Sequence, residues 1–181
     1  ETLASWRADA TALTEMLEAA KEQPAEDPGA QVDKADELRE KWGVESGQLW
    51  QLGEHRIICG DCTDRAVVER VMGGEKALVL SDPPYGIDVV KNNSVGGENL
   101  APVGFYSPIV GDDTTDTAEK FYSTCVECGL DDFVLWGGNY FTAFLPPRPC
   151  WVIWDKRGDI ASNNFADCEM AWTSKYAPAR V

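Results

Sequence analysis

The sequence predicts an α/β domain built on a parallel sheet, preceded by an acidic helical appendage. Three observations predict it. From Gln48 onward, apolar runs of strand length alternate with helical stretches and turn residues, the texture of strands joined by crossovers. The clearest of these runs is Ala77-Leu-Val-Leu-Ser81, whose consecutive apolar positions are expected of a strand covered on both faces. The 181 residues, 44% of them apolar, are enough for one such domain with length to spare. The expected division is residues 1–46 as appendage and linker and residues 47–181 as the domain.

Within the appendage, Trp6, Ala10, Leu13, Leu17 and Ala20 recur at three- and four-residue spacings, which predicts an amphipathic helix over residues 5–22 that docks on something. Pro24, Pro28 and Gly29 among acidic residues mark a flexible linker from Gln23 to Gln31. A second helix follows at Lys34 to Trp42, with Asp33 as its N-cap and Gly43 as its stop.

In the domain, His55 to Cys59 reads as a buried strand. Thr63 or Asp64 then caps a helix that runs to Met72 and ends at Gly73-Gly74. The buried run Ala77–Ser81 leads straight into Asp82-Pro83-Pro84-Tyr85, and a long Gly- and Asn-rich loop extends from Gly86 to about Asp116, a length that is functional or mobile in a compact domain. A helix from Thr117 to Cys128 stops at Gly129. Strands are expected at Phe133–Trp136, Trp151–Trp154 and Cys168–Trp172, with a short helix around Tyr140 to Leu145, and the chain shows no internal repeat.

The formal net charge of −15 argues against a protein that grips phosphates, since such a surface needs clustered Lys and Arg. Part of the excess sits in residues 1–46, yet the remainder is still acidic. Six cysteines, with no signal peptide and no apolar run of membrane-spanning length, point to the cytoplasm and to free thiols. Cys59 and Cys62, with Cys125 and Cys128, form two Cys-x-x-Cys pairs that would suggest zinc if they met in space; a buried strand and a helix face make packing thiols the preferred reading, and no metal is expected. Trp136, Trp151, Trp154 and Trp172 fall on strands and read mainly as core, and His55 is assigned no chemistry.

The chemistry concentrates in Asp82-Pro83-Pro84-Tyr85, at the carboxyl end of a strand, the edge where ligands sit in open α/β sheets. Each proline fixes its own φ and holds the preceding residue extended, so the Asp82 carboxylate and the Pro83 carbonyl form a rigid acceptor pair beside the Tyr85 ring. Such a pair can take both N–H bonds of an exocyclic amine. The amine lone pair is then freed from the ring for direct in-line transfer, without a covalent intermediate. A structural Pro-Pro turn is the plain alternative.

These residues resemble motif IV of the DNA amino-methyltransferases, which make N6-methyladenine or N4-methylcytosine. The resemblance covers about Gly47 to Lys175. It implies a Rossmann-like sheet, S-adenosylmethionine as cofactor, double-stranded DNA as partner with its target base flipped out, and catalytic roles for Asp82, Pro83, Pro84 and Tyr85. Asp in the first position implies adenine N6 as the target. Upstream, Cys59-Gly-Asp-Cys-Thr63 resembles the segment that contacts the adenine end of the cofactor, implying that role for Asp61, Cys62 and Thr63; helix capping is the alternative for Asp61. Downstream, the runs Phe133–Tyr140, Trp151–Lys156 and Asp167–Trp172 resemble the strands that wall the base pocket, which implies pocket positions for Asn139, Trp154, Lys156 and Glu169, against ordinary surface or loop roles.

The order of the pieces is that of the β-type arrangement, with motif IV first and the recognition region and cofactor glycine loop afterwards. No Phe-x-Gly-x-Gly turn occurs in the chain: Gly73-Gly74, Gly96-Gly97 and Gly137-Gly138 lack its spacing and context. The sequence is therefore expected to be an incomplete form of the sheet, with weak S-adenosylmethionine binding by itself and a C-terminal recognition region beyond it. Residues 1–46 resemble the linker that joins such domains to a ParB-like module in some relatives. An acidic interaction domain or nucleic-acid mimic without catalysis is the competing expectation.

Overall fold

The computed structural model describes residues 34–91, 94–95, 108–158 and 166–179. The helix expected over residues 5–22, the linker after it and Asp33 lie outside the described residues. The chain divides into two units, Glu1–Val44 and Glu45–Val181. In the first, helix α1 (Ala35–Trp42) ends at Gly43, whose φ of 59° is the left-handed conformation a C-cap requires. Its N-cap is Lys34, without a side-chain bond, and not Asp33 as the sequence suggested.

The second unit is mixed α/β. Strands β1 (Leu49–Leu52) and β2 (His55–Ile58) pair antiparallel across a tight turn at Gly53-Glu54 as a separate two-stranded sheet. This corrects the expected burial of His55–Cys59: Leu52 and Ile57 are exposed, and so is Cys59. The hairpin turn pairs β2 with β1, and among the described residues no other strand pairs with it.

Helix α2 (Arg65–Met72) starts where the Asp64 side chain accepts from the Ala66 N–H and stops at Gly73. Strand β3 (Leu78–Ser81) follows. The long loop then folds in part as a small hairpin of β4 (Val90–Lys91) and β5 (Ser94–Val95). Helix α3 (Asp116–Glu127) gives way at Gly129 to β6 (Asp132–Trp136), a one-turn 3-10 helix at Gly138–Tyr140, β7 (Trp151–Asp155) and β8 (Cys168–Thr173). That short helix begins earlier than the expected Tyr140, and only turns continue to Leu145.

The main sheet has the order β3-β6-β8-β7. Only β3 and β6 are parallel; β8 runs antiparallel to both of its neighbours, so the sheet is mixed rather than parallel as expected. One face packs Val79, Phe133, Leu135 and Trp172 against Val68 of α2, Ala118 and Cys125 of α3, and Phe141 and Leu145 after the 3-10 turn. The opposite face carries Leu78, Leu80 and Trp154 at 57%, 67% and 54% exposure. Ala77–Ser81 is thus a half-covered edge strand, not the buried one predicted, because no described element packs on its second face. Among the described residues no helix is long and apolar enough to cross a membrane.

Candidate functional site

Parallel β3 and β6, with β7 running the same way, bring their carboxyl ends to one end of the sheet, where antiparallel β8 contributes its start. That end gathers Asp82–Tyr85, Gly137–Tyr140, Asp155-Lys156 and Asp167–Glu169. The motif emerges from β3 with Asp82 exposed, Pro83 buried, and Pro84 and Tyr85 half-buried. The Pro83 carbonyl accepts no hydrogen bond from a described residue.

Tyr85 is fixed in three ways. Its hydroxyl donates to Asp82 Oδ1 at 2.6 Å. Its ring stacks on Tyr140 (centroids 5.1 Å apart, planes inclined by 16°) and meets the edge of Phe141 at 6.1 Å. It also lies against Gly137, where a Cβ would stand 2.2 Å from Tyr85 Cε1 and where the φ of 71° suits glycine. The next residue, Gly138, is equally constrained: a Cβ there would sit 2.5 Å from Trp172 Cβ and 2.8 Å from its backbone nitrogen. Burial, then the bond to Asp82, pushes the Tyr85 phenol well above its ordinary range, with the charge of Glu169 adding to the effect.

The chain leaving the motif is held by Asp112, which is 4% exposed. Its Oδ1 accepts from the Gly86 N–H at 3.0 Å and more weakly from Ile87 at 3.4 Å, its Oδ2 accepts from Val89 at 2.8 Å, and its carbonyl accepts from Asp88 at 2.7 Å. Gly86 (φ 73°) presses on the Thr114–Thr115 backbone, where a Cβ would come within 2.6 Å of Thr114 C.

Trp154, Lys156 and Glu169 meet as a cluster. Trp154 pairs with Glu169 across the strands, Lys156 Nζ lies 2.5 Å from Glu169 Oε1 and 5.7 Å from the Trp154 ring centroid, and Trp154 meets Trp136 edge to face at 6.2 Å. Asn139 is exposed in the 3-10 turn beside Tyr140 and makes no hydrogen bond with a described residue.

Asp61, Cys62 and Thr63 close a turn of their own ahead of α2. Asp61 Oδ1 accepts from both the Thr63 N–H and its hydroxyl at 2.8 Å, closing a local turn that holds the carboxyl below the usual carboxylate range. The turn is tied to α3, where Thr124 donates to the Thr63 carbonyl at 3.1 Å. No hydrogen bond, ion pair or ring contact among the described residues joins it to Asp82–Tyr85. The strand that leads into this turn, β2, belongs to the two-stranded sheet and not to the main one.

Burial raises the Cys62 thiol and pushes that of Cys125 to about 11, which disfavours thiolate at either. Among the described residues no three His, Cys, Asp or Glu side chains are grouped to hold a metal. Surface cavities of 530 and 460 Å³ lie beside Trp50 and Arg70 and beside Met72 and Leu130, neither touching the motif.

Sequence reasoning missed Asp112, Tyr140 and the purpose of Gly137-Gly138. The glycine pair was visible as a doublet after a strand, but its use, clearance for Tyr85 and for β8, depends on the fold. No family model, curated protein or solved structure matches the chain.

Proposed function

We propose that this chain carries the base-holding part of a DNA amino-methyltransferase, with S-adenosylmethionine as methyl donor and adenine N6 of a flipped base as acceptor. The observation that carries the reading is the Asp82–Tyr85 corner. An exposed carboxylate, braced by a tyrosine that takes only one of its oxygens, stands at the sheet end where α/β ligands bind. Asp82 Oδ2 and the Pro83 carbonyl are the two acceptors left for an amine. Together they localise its lone pair on nitrogen and orient it toward the incoming methyl group. The proton released on transfer leaves through the carboxylate. Trp154, Lys156 and Glu169 form a wall at the same end of the sheet.

The residues that the resemblance assigns to S-adenosylmethionine, Asp61, Cys62 and Thr63, form a turn of their own ahead of α2. Asp61 commits one oxygen to Thr63, and the Thr63 carbonyl is tied to Thr124 of α3. The Asp82–Tyr85 corner supplies the hold on the base and the path for its proton.

The test is a nucleoside digest of DNA from cells expressing the intact coding sequence, beside cells expressing Asp82→Ala. N6-methyladenine is expected with the first and absent with the second. No methylated base in either, or full methylation with Asp82→Ala, refutes the reading. A second reading, an interaction domain without catalysis, is favoured by the net charge of −15 and predicts no methylated base in either.

A further inference from the structure

The Tyr85–Tyr140 stack has an asymmetry that bears on how a base enters. Tyr85 is held at its hydroxyl by Asp82 and along its ring by Gly137. Tyr140 is 44% exposed and ends a single 3-10 turn, and its hydroxyl bonds to no described residue. The two planes are inclined by only 16°, close to the arrangement in which a flat heterocycle would lie on Tyr85. The ring with freedom to leave is Tyr140.

We infer that Tyr140 is a place-holder: in the unliganded chain its ring occupies the stacking position that a purine takes on Tyr85, and the base enters by displacing it. This rests on the proposed reading of the motif and adds a positioning residue to it. An empty slot beside Tyr85 would leave an aromatic face in water; covering it with a half-exposed ring keeps the face dry while leaving it open to exchange. Displacement then sets a cost that a stacked purine overcomes and a non-planar competitor does not.

The test is binding of free adenosine, and of inosine, which has a carbonyl in place of the exocyclic amine. It is measured by ligand-observed NMR titration on the full chain for wild type, Tyr140→Ala, Tyr140→Phe and Asp82→Ala. A place-holder competes with its ligand, so Tyr140→Ala should bind adenosine more tightly by about 2- to 10-fold, the factor corresponding to one aromatic pair. Tyr140→Phe, which keeps the ring, should match wild type. Weaker binding by Tyr140→Ala would make Tyr140 a second wall of the slot and overturn the inference, as would unchanged binding or no binding by any form. Near-ultraviolet circular dichroism checks the fold of each variant.

The inosine arm separates this inference from the reading beneath it. A gain for adenosine and inosine alike, with Asp82→Ala neutral, keeps the place-holder and removes the amine-directed corner. Loss of adenosine binding in Asp82→Ala with no gain in Tyr140→Ala does the reverse.

Discussion

Replacing Asp112 should loosen the chain that leaves the motif. The Asp112 carboxylate takes two well-formed backbone bonds, from Gly86 at 3.0 Å and Val89 at 2.8 Å, and a weak one from Ile87 at 3.4 Å. Hydrogen bonds to a charged group contribute about 1.5–3 kcal/mol each, and part of that gain offsets the cost of burying the charge. The expected net loss for Asp112→Ala is therefore about 3 kcal/mol, which for a chain of this size lowers Tm by roughly 6–12 °C. Asp112→Asn keeps one oxygen for Gly86 but turns an amide N–H toward the Val89 N–H, so its loss should be smaller, about 1–2 kcal/mol.

Thermal unfolding measures the total, and amide hydrogen exchange at Gly86 and Val89 locates it. Both amides should lose protection in Asp112→Ala, with core amides such as that of Leu135 changing only as far as global stability does. Unchanged protection at Gly86 and Val89, with Tm within about 2 °C of wild type, would refute the claim that Asp112 holds the motif exit.

Gly137→Ala should cost about 1–3 kcal/mol through its positive φ and its collision with Tyr85, and should lift the Tyr85 ring off its seat; a crystal structure of the variant with the ring unmoved contradicts this. Leu80→Ser, on the open face, should change stability by less than about 0.5 kcal/mol, whereas Leu135→Ala on the adjacent strand should cost about 2–5 kcal/mol; equal losses in urea unfolding would mean the open face is covered. Asp61 and Asp155 are held below the unfolded value of 3.8 by local N–H donors, so the stability they contribute is present above that pH and lost as pH falls through their folded values. The Asp61→Asn, Asp155→Asn double variant should accordingly show a shallower acid limb in pH-dependent Tm. Tyr85 has the opposite sign: its stabilising effect is present below the unfolded value of 10.0 and is lost as pH rises through the higher folded one, and absorbance titration should find one late phenol missing in Tyr85→Phe.

The local elements were legible in the sequence because their signals are local. Asp64 and Gly73 bound α2, Gly129 follows α3, and the strands after it fall within a residue or so of their predicted ends. What failed was pairing and coverage, which depend on residues far apart in sequence. The run Leu-Val-Leu in β3 has the composition of a strand buried on both faces, yet only Val79 packs on the core, because composition records what a strand tolerates and not which neighbour arrives. His55–Ile58 looked like a sheet strand for the same reason, until the turn at Gly53-Glu54 paired it with β1. At the candidate site the motif could be picked out by its residues, and of the four positions named for a pocket Trp154, Lys156 and Glu169 meet as a cluster while Asn139 makes no hydrogen bond to them. Asp112 was not, since an acidic residue in a Gly- and Asp-rich loop has no sequence mark distinguishing a buried anchor from a solvated one.

If the proposed function holds, the charge at the motif end of the sheet sets how this chain would meet nucleic acid. The cations that follow β7 are both compensated: Lys156 faces Glu169 at 2.5 Å, and Arg157 faces Asp167 at 2.6 Å. Asp82 adds an exposed carboxylate at the same end of the sheet. A corner so arranged has little net attraction for phosphate, so under the proposed function its hold on a nucleotide would come from stacking at Tyr85 and hydrogen bonds to the amine. The consequence is measurable as salt dependence, because each phosphate neutralised on duplex DNA contributes a slope of about −0.9 to log K against log salt. Fluorescence anisotropy with a duplex carrying an unpaired adenine should give weak binding and a slope no steeper than about −1, corresponding to about one phosphate contact. Glu169→Gln should steepen that slope by releasing Lys156. A slope of about −4 or steeper in the unmodified chain would mean that a basic surface grips the backbone, and base capture by stacking and amine recognition alone would then be the wrong description of the site.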